Sequence, residues 1–155
     1  MRKMILFWCV AFLLVAYLAI VLGNYLTHPP ADLGLVNQQL RACPESPNCV
    51  CSQCESPTHS IEPIRYSGSA EQARQRLVEI LSRQRGCHIV KQEADYLHAE
   101  FRSLGFRFVD DVEFLIDSRQ NVIQVRSASR VGYSDLGANR KRIEVLRKRY
   151  ADSND

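Results

Sequence analysis

Residues 106–129 read FRFVDDVEFLIDSRQNVIQVRSAS, and no other stretch constrains the fold as tightly. Two runs of alternating apolar and polar residues flank Ser118-Arg119-Gln120-Asn121, residue types that favour chain reversal. The pattern predicts a β-hairpin. Period-two geometry puts Phe108, Asp110, Val112, Phe114 and Ile116 on one face, with Val109, Asp111, Glu113, Leu115 and Asp117 on the other. In the second strand Ile123, Val125, Ser127 and Ser129 share a face, opposite Gln124, Arg126 and Ala128. A one-residue slip would turn every side chain over, so matching the apolar faces fixes the parity of the register. The shortest loop of that parity pairs Ile116 with Ile123 and Phe114 with Val125, sets Glu113 against Arg126 and brings Asp110 near Ser129.

Regular elements flank the hairpin. Ser69 and Gln72 form a capping box ahead of an apolar stripe of Ala73, Leu77, Ile80 and Leu81, and Gly86 closes the run, which predicts a helix over 70–85. Strands are expected at 87–92 and 96–103, around a turn at Glu93-Ala94-Asp95. His98 falls on the polar face of the second strand and reads as a solvated side chain. A final helix is expected from about Leu136, capped by Ser134 or Asp135, with Leu136, Asn139, Ile143, Leu146 and Tyr150 inward. Asn139 interrupts that stripe. A buried amide without a partner costs roughly 1–3 kcal/mol, so Asn139 calls for a partner among Asp110, Ser129 and the Gly132-Tyr133-Ser134 backbone. The fold class is therefore α+β: a mostly antiparallel sheet of four to five strands with two helices packed on one face.

Ahead of this domain, Met4–Leu22 form an apolar run of 19 residues, long enough as a helix to cross a bilayer. It reads as a transmembrane anchor within residues 1–23, with a secretory signal as the rival. Arg2 and Lys3 precede it, and NYLTHPPADLGL after it has no Lys or Arg. The positive-inside rule then places the N-terminus in the cytoplasm and the following domain on the extracytoplasmic, periplasmic side of the inner membrane. Residues 24–60 read as a Pro- and Cys-rich linker and irregular segment, 61–150 as the globular domain and 151–155 as a disordered tail.

The irregular segment holds Cys43, Cys49, Cys51 and Cys54. On an oxidising side of a membrane these read as two disulfides, Cys43 with Cys49 and Cys51 with Cys54. A zinc site using Cys49, Cys51 and Cys54 with His59 or Cys43 competes, but the ligands crowd one short segment without a second CxxC. No metal or other cofactor is expected.

SPNCV, His59 with Ile61-Glu62-Pro63, the FVDDVEF strand and RSASRVGYSDLGANRKRIE together resemble the family catalogued as domain of unknown function 1499, over roughly residues 40–150. That family occurs in bacterial envelope proteins and plastid-targeted relatives and has no established activity. The resemblance carries the cysteines at Cys43 and Cys49, which implies their pairing, while Cys51 and Cys54 depart from the pattern.

The polar residues of 110–140 are the candidate site: Asp110, Asp111, Glu113, Arg126, Ser129, Arg130, Tyr133, Asp135, Asn139 and Arg140. Two nearby guanidinium forks suit an anionic small molecule or a lipid headgroup. Three readings follow: a non-catalytic binding or scaffolding module, a hydrolase-like enzyme with Asp110 as base and Arg130 as clamp, or a structural network in a protein that works through envelope partners. No recognisable nucleophile motif accompanies the carboxylates. The formal charge of +3 and a basic helix without interleaved aromatics give no case for nucleic acid.

Overall fold

The hairpin forms in the register that its alternation dictates. In the computed structural model, which describes residues 1–31 and 33–153, β7 (Val109–Asp117) and β8 (Val122–Ser129) pair antiparallel. Ile116 lies opposite Ile123, Phe114 opposite Val125, Glu113 opposite Arg126 and Asp110 opposite Ser129. Asp117 closes the turn by accepting the backbone N–H groups of Arg119 and Gln120. The first strand begins at Val109, so Phe108 belongs to the preceding loop rather than to the apolar face.

Ahead of the hairpin lie α1 (Arg2–Tyr25), β1 (Leu35–Val36), β2 (Gln39–Leu40), β3 (Cys49–Cys51), β4 (Ile64–Arg65), α2 (Ala70–Ser82), β5 (Cys87–Gln92) and β6 (Tyr96–Arg102); α3 (Ala138–Asp152) follows it. The main sheet runs β3-β8-β7-β6-β5, with β4 also on β8, and every pair between strands is antiparallel. Six strands thus replace the four or five expected from periodicity, because β3 and β4 are too short to show any. β3 covers one half of the outer edge of β8 and β4 the other. At the opposite edge, β5 is broken by a register shift between Ile89 and Lys91.

One sheet face is apolar. Val112, Phe114, Ile116, Ile123, Val125, Leu97, Ala99 and Phe101 form a single core with Leu77 and Leu81 of α2 and Ile143, Leu146 and Tyr150 of α3. The α2 capping box is made as expected: Ser69 Oγ accepts the N–H of Gln72, and the Gln72 side chain accepts the N–H of Ser69. Gly86, at φ +77°, turns the chain into β5 so closely that a Cβ there would sit 2.6 Å from the Arg102 carbonyl oxygen.

At α3 the structure corrects the expected start. Asp135 accepts the N–H groups of Gly137 and Asn139, so the chain is still turning at 135–137 and the helix starts at Ala138. Leu136 is consequently 96% exposed, not inward. The inward stripe is Asn139, Ile143, Leu146 and Tyr150. α3 continues to Asp152, into the stretch expected to be a tail, and Asn154 and Asp155 lie outside the described residues.

The second sheet face is covered by the chain that leaves α1. There β1 and β2 form a small hairpin whose turn residues Asn37 and Gln38 both take positive φ, as a tight two-residue reversal requires. Leu40 of this hairpin packs with Tyr96 and Leu115. α1 is the one helix among the described residues that is long and apolar enough to cross a membrane.

Candidate functional site

Strand alternation sorts the candidate residues into two groups on opposite sides of the sheet. On the face turned from the helices, β6 contributes Tyr96, His98, Glu100 and Arg102, β7 contributes Asp111 and Glu113, and β8 contributes Gln124 and Arg126, with Arg130 just beyond its end. Each is polar, and apart from Arg102 and Arg130 each is a buried residue. The Arg130 side chain is likewise only 3% exposed.

This layer is a closed ion network. Arg130 grips Asp111 through two bonds, Nε to Oδ2 at 2.8 Å and Nη2 to Oδ1 at 2.7 Å. Its Nη2 also reaches Glu100 at 2.5 Å, and its Nη1 donates to the Thr27 carbonyl at 3.1 Å. His98 Nε2 lies 2.7 Å from Asp111 Oδ1, so His98 is a buried member of the network and not the solvated residue its strand position implied. Glu113 accepts from Arg126 Nη1 at 2.9 Å, from the Tyr96 hydroxyl at 2.7 Å and from the Gly34 N–H at 2.8 Å. Arg126 also keeps a buried Nε–H with no partner among the described residues.

Burial by itself would raise the Asp111 carboxyl, but the hydrogen bonds from Arg130 and His98 outweigh it and hold the group below its ordinary value. Glu100 behaves alike: burial raises it, and Arg130 with Arg102 brings it below the usual carboxylate range. Burial pushes the Tyr96 hydroxyl up, and the neighbouring Glu113 carboxylate adds to the shift.

The second group lies under α3. Asn139 is fully buried, and its amide nitrogen donates to the Asn48 carbonyl and to Ser129 Oγ, each at 3.0 Å, while its Oδ1 accepts from Ser127 Oγ at 2.5 Å. Of the partners expected for Asn139, Ser129 is used. Asp110 is not, because Arg142 Nη2 holds it at 2.5 Å while Nη1 of the same guanidinium donates to Asn139 Oδ1 at 2.8 Å. Nor is the 132–134 backbone; the Gly132 carbonyl accepts instead from Asn48 Nδ2 at 2.6 Å. Arg142, Asn48, Ser127, Glu100 and His98 were missed in the sequence reading. The run of Tyr96, His98, Glu100 and Arg102 at alternate positions of β6, beside Asp111 and Glu113 of β7, was the signal for the last two.

Three candidates fall outside both groups. Tyr133 is exposed, Asp135 serves the start of α3, and Arg140 ties that helix to the Ser60 and Thr58 carbonyls. The pairing of Asp110 as base with Arg130 as clamp is also corrected, since the sheet itself stands between them.

Cys43 and Cys49 form a disulfide. Cys51 and Cys54 do not; both are free thiols. The buried Cys51 thiol is pushed up to about 12 by burial first and by the adjacent Cys54 second, which makes Cys51 itself a poor nucleophile. Cys87, at the start of β5, is pushed up to about 11 by burial. Among the described residues no group of three or more His, Cys, Asp or Glu side chains could hold a metal ion.

Fold and site define a class: an α+β domain behind an apolar N-terminal helix, with a charged layer sealed between its sheet and the chain leaving that helix. Within it, the protein belongs to the family described as protein of unknown function (DUF1499), whose model matches residues 39–149. Comparison with the curated proteins and with the solved structures gives no match.

Proposed function

We propose that this protein is a single-pass membrane module of the cell envelope, with its domain on the periplasmic side, acting non-catalytically as a scaffold that holds a protein-binding surface at a fixed pose over the bilayer. One observation carries this reading. Arg130 joins Asp111 and Glu100 of the sheet to the carbonyl of Thr27, two residues beyond α1. Its guanidinium is committed to the protein's own groups, which favours scaffolding over anion capture at this position, and the bond to Thr27 couples the domain to its anchor. Arg2 and Lys3, the first two residues of α1 and ahead of its apolar run, support the orientation. The separation of Asp110 from Arg130 by the sheet argues against the hydrolase-like alternative.

The test is native mass spectrometry of the full chain released from lipid nanodiscs, for the wild type and for Arg130→Lys, together with protease protection in oriented membranes. The expected result is a wild-type mass without a bound anion and a domain digested only from the periplasmic side. A small anion that co-purifies with the wild type and is lost from a folded Arg130→Lys variant would replace scaffolding with binding. Digestion only from the cytoplasmic side would overturn the orientation.

A further inference from the structure

The loop joining β6 to β7, residues 103–108, is apolar where a hairpin connection is ordinarily polar. Leu104, Phe106 and Phe108 are 66%, 46% and 42% exposed. We propose that this loop is a second membrane contact, its apolar side chains inserted into the lipid bilayer beside α1. The inference rests on reading α1 as a membrane span.

Position supplies the first argument. The Tyr17 hydroxyl of α1 donates to the Gly105 carbonyl at 3.1 Å, and its ring meets Phe106 edge-on with centroids 5.6 Å apart. Tyr17 lies five residues before Leu22, the end of the apolar run, which is about 8 Å along a helix axis. A bilayer that accommodates this run within its roughly 30 Å hydrocarbon thickness therefore surrounds the loop as well. The loop lies alongside the span, not above it.

Backbone satisfaction supplies the second. In hydrocarbon an unpaired peptide group costs several kcal/mol, whereas in water a loop carbonyl needs no protein partner. Here the two carbonyls turned to α1 are taken, Gly105 by Tyr17 and Phe106 by Asn24 Nδ2 at 2.7 Å. The N–H groups of residues 104–107 have no partner among the described residues, so the side chains enter the lipid and the backbone stays at the headgroup boundary. At the base of the loop the Ser103 N–H donates to the Phe108 carbonyl and the Phe108 N–H to Ser103 Oγ, each at 2.9 Å. Asn24 is a buried amide just past the apolar run Met4–Leu22 of α1, and its bond to Phe106 accounts for that placement. The side-chain types match the site, since aromatic rings favour the membrane–water boundary and the long Arg107 side chain can reach headgroup phosphates from within it.

The test uses the single native tryptophan, Trp8, as the reporter for the anchor. The full chain is reconstituted in phosphatidylcholine vesicles with and without lipids brominated on the acyl chains. A Trp8→Phe background then carries Phe106→Trp, Leu104→Trp or, in the exposed turn at the far end of the hairpin, Arg119→Trp. The expected result is blue-shifted emission that bromolipid quenches for the Phe106 and Leu104 reporters, and water-like, unquenched emission for the Arg119 reporter. Quenching of Trp8 with water-like emission from both loop reporters overturns the inference and leaves the anchor standing. Blue-shifted loop emission that bromolipid does not quench also overturns it, because protein rather than lipid then covers the loop. An unquenched Trp8 removes the anchor reading, and the inference with it.

Discussion

Arg130→Met removes the guanidinium but keeps an unbranched side chain in its place, leaving Asp111 and Glu100 buried beside an apolar group. Breaking a buried ion pair from one side typically destabilises by about 3–5 kcal/mol. Asp111 retains His98 and Glu100 retains Arg102, so the expected loss at pH 7 lies at the lower end, about 3 kcal/mol, a large part of the roughly 5–15 kcal/mol that holds a domain together. The pH dependence distinguishes this mechanism from simple loss of packing. In the wild type both carboxyls lie below their ordinary values, so their stabilisation is complete above the unfolded value near 4 and is lost as pH falls through the folded values. In the variant the lowering by Arg130 is lost while that by His98 and Arg102 remains, so the folded carboxyls move up from their wild-type positions. The folded variant then binds protons more readily than the folded wild type and loses less stability than the wild type as pH falls from 7 towards 4. The gap between the two proteins must narrow over that interval. Urea unfolding in a mild detergent, followed by near-ultraviolet circular dichroism at pH 7 and pH 4.5, measures it. A gap under about 1 kcal/mol at pH 7, the range of an exposed pair, or a gap of constant size, would refute the reasoning.

Asn139→Leu leaves the Asn48 carbonyl and both serine hydroxyls short of a partner and should lower stability by about 1–3 kcal/mol, with faster amide exchange at Ser129, whose N–H donates to that same Asn48 carbonyl. Alkylation of the denatured, unreduced chain should label four of its six cysteines, Cys9, Cys51, Cys54 and Cys87, with the remaining two labelled after reduction. Removing the short Cys43–Cys49 bridge as a double serine variant should lower the unfolding free energy by about 2 kcal/mol. Gly86→Ala combines a left-handed backbone with a clash against the Arg102 carbonyl, so a loss beyond about 1 kcal/mol is expected in the same unfolding assay.

The parts of the structure legible in the sequence are those fixed by near neighbours. Hairpin register follows from alternation and one turn, and the α2 start from a Ser–Gln pair three residues apart. What escaped was decided at long range. Asp111, Glu113 and His98 are buried because Thr27, Gly34 and Leu40 arrive from far earlier in the chain to cover them, and no local pattern distinguishes a charged face that meets water from one that meets a tether. Arg126 opposite Glu113 was readable from the hairpin register, whereas the diagonal reach of Arg130 to Asp111 and Glu100 was not. Leu136 failed on a smaller scale: helical spacing extends to it, but the Asp135 carboxylate holds the preceding turn open. The free Cys51 and Cys54 show the limit of spacing arguments, which set reach but not the chemical state of a thiol.

If α1 anchors the protein as proposed, the broken edge at β5 bears on how its copies behave when crowded in one membrane. Tethering to a plane raises the local concentration of domains and aligns them, conditions under which an uninterrupted strand edge would recruit its neighbour into a shared sheet. The shift between Ile89 and Lys91 spoils the ladder at mid-strand, and Lys91 places a half-exposed charge at the break. With the other edge of β8 already occupied by β3 and β4, a dense population of these domains can share a surface without polymerising across it.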